Sequence, residues 1–477
     1  MYSKNNFLEL IQKNDSHEIA KYFHALKPHS YITKNNSGWY VLQKNNTWML
    51  SLKKPSALIN DIADTFKFII DEHINIINKE DNSDIKTIKI KNLNKFRLLV
   101  GNKSIGESIG DYLYSMYSDE EIYEKMDEHL NLFAFLDKVV NLDTGIVTDI
   151  EPEDYISITT GYNYPTVSNS IVNSDIKKFL YSLFENDEMV QFEIDKLSYA
   201  LHGNKKHEIF IIETGEGRNG KGTKTKIVKN SFGNYYKSVP ISLFTQSSDK
   251  KDSALPALVA CKGMRYMECQ EPEAKDKLNT GAIKEVTGRD IITCRALYGN
   301  SVYFVIQALL VIQANSVPKY NKYDNAIKLR NVIQPFPFIF VSNDKTDLKD
   351  NERYGDTNIK NKVSSNEWRD ELILILLKNY QVIKDNATFH IPHMIKERTE
   401  ENAEDNIPIK GWFDKNIKIG TDEIKNTVLY NIYRDSTLHP CNIKDFCSYL
   451  KLLNVNFKIK HKVFYWIDIE IISDNSF

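Results

Sequence analysis

The chain has 477 residues, 42% of them hydrophobic and 26% charged, and its 62 basic and 64 acidic side chains leave a formal net charge of −2. This length exceeds one compact core and predicts several domains, and the composition excludes a disordered or fibrous chain. No stretch is long and apolar enough to span a bilayer, since Gln307 interrupts the best run, and the first ten residues lack the order of a secretory signal. A cytoplasmic protein with no membrane partner is therefore expected. The five cysteines form no CxxC pair and no metal spacing with histidine, which predicts reduced thiols without zinc or disulfides. A near-neutral total still permits a basic channel or patch for nucleic acid.

In chain order, residues 39–48 predict two strands about an Asn45-Asn46 turn, and residues 57–77 an amphipathic helix. Residues 78–104 read as an exposed connection carrying a short alternating strand at 87–90. Short apolar runs over 136–164 predict a compact β-rich piece, and two helices follow between 175 and 201. A strand at 208–213, a glycine loop, a helix to about 229 and strands at 264–269 and 309–314 predict an α/β nucleotide-binding core. Beyond residue 340 come a polar loop, an apolar helix at 367–377 and a charged linker over 400–410. Helices at 423–433 and 443–453, then strands around Lys460-His461-Lys462, predict a winged-helix-like end. The expected domains are 1–165, a helical connector 166–203, the core 204–345, a helical lid or connection 346–405, and 406–477.

The segment Gly215-Glu-Gly217-Arg-Asn219-Gly220-Lys221-Gly222-Thr223 lies between an apolar strand and a helix. Backbone N–H groups cradle phosphates in such a setting, with Lys221 on the β and γ phosphates of ATP. Gly222 stands where a serine or threonine usually follows the lysine, so the hydroxyl for Mg2+ arrives one residue later, at Thr223. A magnesium nucleotide also needs acids at the end of a neighbouring strand; Glu271 is expected to activate water and Glu268 to support the metal. Asn315, closing the run Leu309 to Asn315, is placed to sense the γ phosphate, and Arg330 to complete the transition-state charge at a neighbouring subunit's site. Lys458, Lys460 and Lys462 are candidates for duplex binding.

Together these residues resemble a superfamily 3 helicase of the poxvirus, phage and giant-virus helicase–primase type, a class of AAA+ ATPase. The motifs match in order: residues 215–223 for Walker A, 265–273 for Walker B, 284–298 for the B-prime motif and Asn315 for motif C. The segment 136–164 is similar to the end of the family's helicase-associated N-terminal domain. The resemblance implies an AAA+ core, a homo-hexameric ring with ATP between subunits, and unwinding of duplex by movement along single-stranded DNA. It also implies Lys284, Arg289 and Arg295 as contacts to nucleic acid, a viral or mobile-element DNA replication role in the host cytoplasm or a viral replication site, and a primase or other replication protein on another chain. Two other readings remain open at this point: an ATP-binding assembly subunit without helicase activity, and a small-molecule kinase, in which Gly-Lys-Gly-Thr also occurs.

Overall fold

The computed structural model describes residues 4–34, 38–79, 84–245, 256–270, 276–295, 301–386 and 389–472. The chain divides into two compact units: residues 1–140, 147–164 and 295–301 form one, and 141–146, 165–294 and 302–477 the other.

In the first unit, helices Ser16–Leu26, Ser56–Asn78, Asp84–Val100 and Lys103–Met116 enclose the buried rings of Phe7, Phe23, Phe66 and Phe96. Phe66 and Phe96 meet edge to face at 5.7 Å, the geometry that aligns a ring's positive edge with its neighbour's face. Asp15 and Asn102 cap the first and last of these helices through the backbone N–H groups of His17 and Ser104. Strands Tyr31–Lys34, Gly38–Leu42 and Trp48–Ser51 make an antiparallel sheet, and its expected turn passes through Asn46 at φ 61°. One expectation fails here. Residues 87–90 are no strand, because Asp84–Val100 is one helix that buries Leu93, Phe96 and Val100 at helical spacing. The alternating Thr-Ile-Lys-Ile pattern that suggested a strand leaves Ile88 60% exposed.

The second unit contains helices α1 (Ser170–Phe184) and α2 (Asp187–Leu201), and then an alternation of strands and helices. These are β1 (Phe210–Thr214), α3 (Lys221–Phe232), β2 (Tyr236–Ser238), β3 (Tyr266–Gln270), α4 (Thr280–Thr287), β4 (Leu309–Ala314), α5 (Asn325–Arg330) and β5 (Asn331–Pro335). The five strands are all parallel and lie in the order β5-β1-β4-β3-β2. Strands β1 and β4 are buried along their whole length, as expected where helices cover both faces of a parallel sheet. Between α4 and β4, Ile292–Arg295 and Ser301–Phe304 pair as a two-stranded ribbon.

Helix α6 (Asn366–Ile383) packs on α1, α2 and α3. The charged linker expected over 400–410 is instead partly helix: α7 (His393–Asp405) runs through its first half, burying Ile395 and Ala403. It lies against β5, where the Thr399 hydroxyl accepts the Ile333 N–H at 3.0 Å. The chain ends as α8 (Lys410–Asn416), β6 (Ile417–Lys425), α9 (Asn426–Asp435), α10 (Ile443–Leu452), β7 (Phe457–Lys460) and β8 (Val463–Ile471). The three strands form an antiparallel sheet, β6-β8-β7, over a core containing Trp466, whose indole N–H is held by Asn426 Oδ1 at 2.8 Å. Glu423 therefore belongs to a strand rather than to the helix expected from it; Ile424 faces the interior opposite Trp466, and the helix begins at Asn426.

Candidate nucleotide site

The glycine loop joins the carboxyl end of β1 to the amino end of α3, and its backbone is shaped by residues that tolerate left-handed angles. Gly220 has φ 83°, a backbone angle that strains any residue with a Cβ, and a Cβ there would sit 2.4 Å from Leu183 Cδ2 and push that side chain aside. Gly215, at φ 149°, leaves room for the Asn219 amide and the Phe336 carbonyl, each 2.5 Å from a would-be Cβ. Arg218 adopts φ 64°, and its carbonyl accepts the Phe340 N–H at 2.8 Å. Asn219 is buried and its Oδ1 accepts the Lys221 N–H at 3.2 Å, whereas its Nδ2 donor has no partner among the described residues. An orphaned buried amide beside a loop of backbone N–H groups is a donor set suited to phosphate oxygens.

Lys221 opens α3, and its ammonium donates to the carbonyl oxygens of Gly215 at 2.5 Å and Ala314 at 3.1 Å. The lysine thus ties the loop to the carboxyl end of β4, where exposed Asn315 follows directly. A cavity of about 400 Å3 opens over the loop, lined by Arg218, Asn219, Gly222, Thr223, Lys226 and Lys360 among others. All the charged side chains lining it are basic, so it presents positive potential to an anion. A second cavity of about 420 Å3 shares Arg218, Gly220 and Thr223, and Phe179, Phe340 and Trp368 supply its apolar wall. The two spaces set a basic lining beside an apolar wall.

For the metal, the sequence offered Thr223, Glu268 and Glu271. Thr223 is half-buried in the first turn of α3 and lines both cavities. A side chain at Gly222 would meet nothing within 4 Å, so the place of the usual hydroxyl is open space. Glu268 is fully buried in β3 and engaged, accepting from the Thr225 hydroxyl at 3.1 Å and from Gln270 Nε2 at 3.2 Å. Tyr236 also bonds to it, and its hydroxyl is pushed well above the usual range by burial and the Glu268 charge. Glu271 lies outside the described residues. Among the described residues no group of three or more histidine, cysteine or acidic side chains is arranged to hold a metal.

Arg330 ends α5 just before Asn331, which pairs with Phe210 at the amino end of β1. The glycine loop leaves the other end of that strand, so Arg330 lies at the opposite edge of the sheet, on the order of 13 Å away along a five-residue strand. It is paired with Glu208, and its Nη1 donates to the Ala326 carbonyl at 3.1 Å. It cannot serve its own chain's loop. Of the proposed nucleic-acid contacts, Lys284 is paired with Asp324 at 2.5 Å, and Arg289 Nη2 donates to the Lys206 carbonyl at 2.8 Å. The side chain of Arg295, at the end of a ribbon strand, lies outside the described residues. Lys458 and Lys460 share Glu423, the latter at 2.7 Å, while Lys462 sits in the turn between β7 and β8 at φ 65°.

The sequence reading missed a buried polar cluster beneath the loop: Glu193 and Lys196 on α2, Glu213 on β1, Lys224 and Thr225 on α3, Gln313 on β4 and Gln334 on β5. Lys196 donates to Glu193 at 2.5 Å and to Glu213 at 2.7 Å, and Lys224 also pairs with Glu213. Burial alone would raise the Glu213 carboxyl, but the Lys196 and Lys224 charges outweigh it and bring it down to about 2. Burial acts to lower the Lys224 ammonium, and the Glu213, Glu193 and Glu268 carboxylates more than reverse this, leaving it raised. The available signal was polar residues at core positions: Gln313 in an otherwise apolar strand, and Glu193 and Lys196 among Phe192, Ile194 and Leu197.

Residues 20–185 match a family model described as D5 N terminal like. Over 406 residues the chain is 27% identical to "Putative helicase L207/L206" of Acanthamoeba polyphaga mimivirus, covering 81% of this chain and 41% of the relative. It is 25% identical over 375 residues to "Putative helicase 184R" of Invertebrate iridescent virus 6, with 73% and 38% covered. Primase D5 of Fowlpox virus (strain NVSL) is 25% identical over 257 residues, 50% of this chain and 30% of that protein. The chain thus spans less than half the length of these relatives. Among solved structures, the apo C-terminal region of NrS-1 aligns with 92% of this chain and 96% of its own, at a TM-score of 0.45 and 11% identity.

Proposed function

As the chain belongs to the poxvirus-type helicase–primase family of viral proteins, we propose that it is an ATP-dependent nucleic-acid helicase acting in viral or mobile-element DNA replication, at a host cytoplasmic or viral replication site. The observation that carries this reading is the Lys221 ammonium bridging the glycine loop and the end of β4, next to Asn315 and beneath a basic cavity. The strand order β5-β1-β4-β3-β2 supports assignment of the core to the AAA+ class. The helix–strand–helix–helix–strand–strand order of residues 410–471 supports a winged-helix-like end.

In this reading the triphosphate lies along the loop N–H groups and the Asn219 amide, and Lys221 turns from its two carbonyls to the β and γ phosphates. Arg218, Lys226 and Lys360 offset the remaining charge, and the base enters the cavity walled by Phe179, Phe340 and Trp368. Thr223, with phosphate oxygens and water, would hold Mg2+, which neutralises the β and γ oxygens when bound. Asn315 reads the γ phosphate and Glu271 orients the attacking water. Arg330, remote from its own loop, acts on the site of the next subunit in a homo-hexameric ring. The ribbon of Ile292–Arg295 and Ser301–Phe304 contacts single-stranded DNA, with Arg295 among the residues assigned to that contact, and the lysines of the terminal wing meet the duplex. A separate primase or replication protein completes the machinery.

Steady-state ATP hydrolysis with and without single-stranded DNA, on the full chain and on Lys221→Ala, tests this. DNA-stimulated turnover that disappears in the variant is expected; equal turnover in the variant would overturn the site. The open space at Gly222 favours a second reading, an assembly subunit that binds ATP without turning it over, and tight binding with no hydrolysis would select it.

A further inference from the structure

Four polar residues line up across four adjacent strands of the central sheet. Gln270 on β3 is in register with Gln313 on β4, Gln313 with Glu213 on β1, and Glu213 with Gln334 on β5. Helices α2 and α3 meet the buried part of this row, Gln313, Glu213 and Gln334, with Glu193, Lys196, Lys224 and Thr225, and Lys196 reaches Glu213 at 2.7 Å and Gln334 at 2.8 Å. Glu193, Lys196, Glu213, Lys224 and Gln334 are all fully buried. Such a layer costs more to bury than well-packed apolar side chains of similar volume, so stability alone does not account for it.

The bonds have a direction. Gln313 Nε2 donates to Glu213 Oε2 at 2.9 Å and to the Thr225 hydroxyl at 2.8 Å. Having accepted from Gln313, that hydroxyl turns its own proton to Glu268 Oε2 at 3.1 Å. Thr225 stands on α3 four residues after Lys221, and Gln313 on β4 two residues before Asn315. The relay therefore joins the phosphate-binding helix to the two strands whose carboxyl ends flank the nucleotide.

We propose that Gln313, Thr225 and Glu268, with charge balance from Glu213, Lys196 and Lys224, are positioning residues that hold the first turns of α3 in register with β3 and β4 during ATP hydrolysis. This rests on the helicase reading above. Glu268 acts here through its neighbours rather than as a metal ligand, because its carboxylate is wholly enclosed and already accepts from Thr225, Gln270 and Tyr236.

The test is ATP turnover by the full-length Thr225→Val and Thr225→Ser proteins with single-stranded DNA present, alongside equilibrium binding of ATP. Loss of a hydrogen bond to a buried carboxylate predicts a fall in kcat of roughly tenfold or more in Thr225→Val. ATP affinity is expected to stay within about twofold of wild type, and Thr225→Ser, which keeps the hydroxyl, to restore turnover. Gln313→Met removes the same relay from β4 and is expected to give the same split, which covers the case of a poorly folded Thr225→Val. Wild-type kcat in either folded variant, or an equal loss in Thr225→Ser, would overturn the proposal. If Lys221→Ala abolishes turnover while Thr225→Val is unaffected, only the relay fails; if Lys221→Ala also turns over normally, the helicase reading fails with it.

Discussion

Replacing Lys224 by methionine removes one of the two ammonium groups buried beneath the glycine loop while keeping an unbranched side chain of similar length. The buried set of Glu193, Glu213, Glu268, Lys196 and Lys224 has a formal charge of −1, from three carboxylates and two ammoniums, and the variant makes it −2. Among the described residues, Glu213 then keeps only Lys196 and Gln313, and Glu193 Oε1, 3.9 Å from the lost ammonium, has no hydrogen bond to fall back on. Deleting one partner of a buried ion pair costs roughly 3–5 kcal/mol. At about 2.1 cal/mol/K of unfolding entropy per residue, a unit of more than 300 residues shifts by roughly 1.5 °C per kcal/mol, so the melting transition of the second unit falls by about 5–8 °C. Adding Glu213→Gln removes the stranded carboxylate, so the double variant recovers part of the loss, with a coupling of roughly 1–3 kcal/mol. Differential scanning calorimetry of the full chain measures both. The pH dependence has a definite sign. Since Glu213 is held at about 2 against an ordinary value of 4.5, its contribution is complete above pH 4.5 and is lost as pH falls through about 2. Lys224 is raised, so its contribution is complete below 10.5 and is lost only at higher pH. The gap between wild type and Lys224→Met is therefore widest from about pH 5 to 9 and closes toward pH 2. A variant that melts with wild type near neutral pH, or strictly additive losses in the double variant, would refute the reasoning.

Gly222→Ser places a hydroxyl in open space without a clash, and is expected to tighten Mg2+-dependent nucleotide binding several-fold, on the order of one added ligand's worth; a Mg2+ titration of bound nucleotide reads this, and no gain would argue against a metal at that turn. Arg330→Ala frees Glu208 and is expected to leave ATP binding intact while lowering hydrolysis by roughly 10³-fold. Mixing it with Lys221→Ala subunits should restore part of the activity, and the absence of complementation would exclude a shared site. Lys462→Ala is expected to weaken duplex binding about equally for all sequences and to reduce the salt slope by about one, measured by fluorescence anisotropy at several salt concentrations; an unchanged slope would remove this lysine from the interface.

Much of the central unit was legible because its signals are local. The strand Leu309–Ala314 falls where its apolar run placed it, since a strand buried on both faces needs no alternation to be seen. The glycine loop was legible for the same reason: its conformation depends on residues within a single turn, and Gly215 and Gly220 take the angles and close approaches only glycine permits. Segments rich in lysine and asparagine misled. Asp84–Val100 has a helical apolar stripe only from Leu93 onward, and the alternation before it resembles a strand until packing selects the face. Residues 400–405 carry four charged side chains and read as a linker, yet Ile395 and Ala403 are enough to seat α7 on β5.

The sequence by itself determined the strand–glycine-loop–helix unit, the lysine at its centre and the order of the polar residues that follow, because each is set by neighbours within a few positions. Tertiary structure alone decided that Glu268 is enclosed, that Arg330 stands at the far edge of the sheet from its own loop, and that Glu193, Lys196, Glu213, Lys224, Gln313 and Gln334 form one cluster. Those six residues come from five separate elements. A buried charge is tolerable only when long-range folding supplies its counter-charge and hydrogen bonds, and no local pattern carries that information.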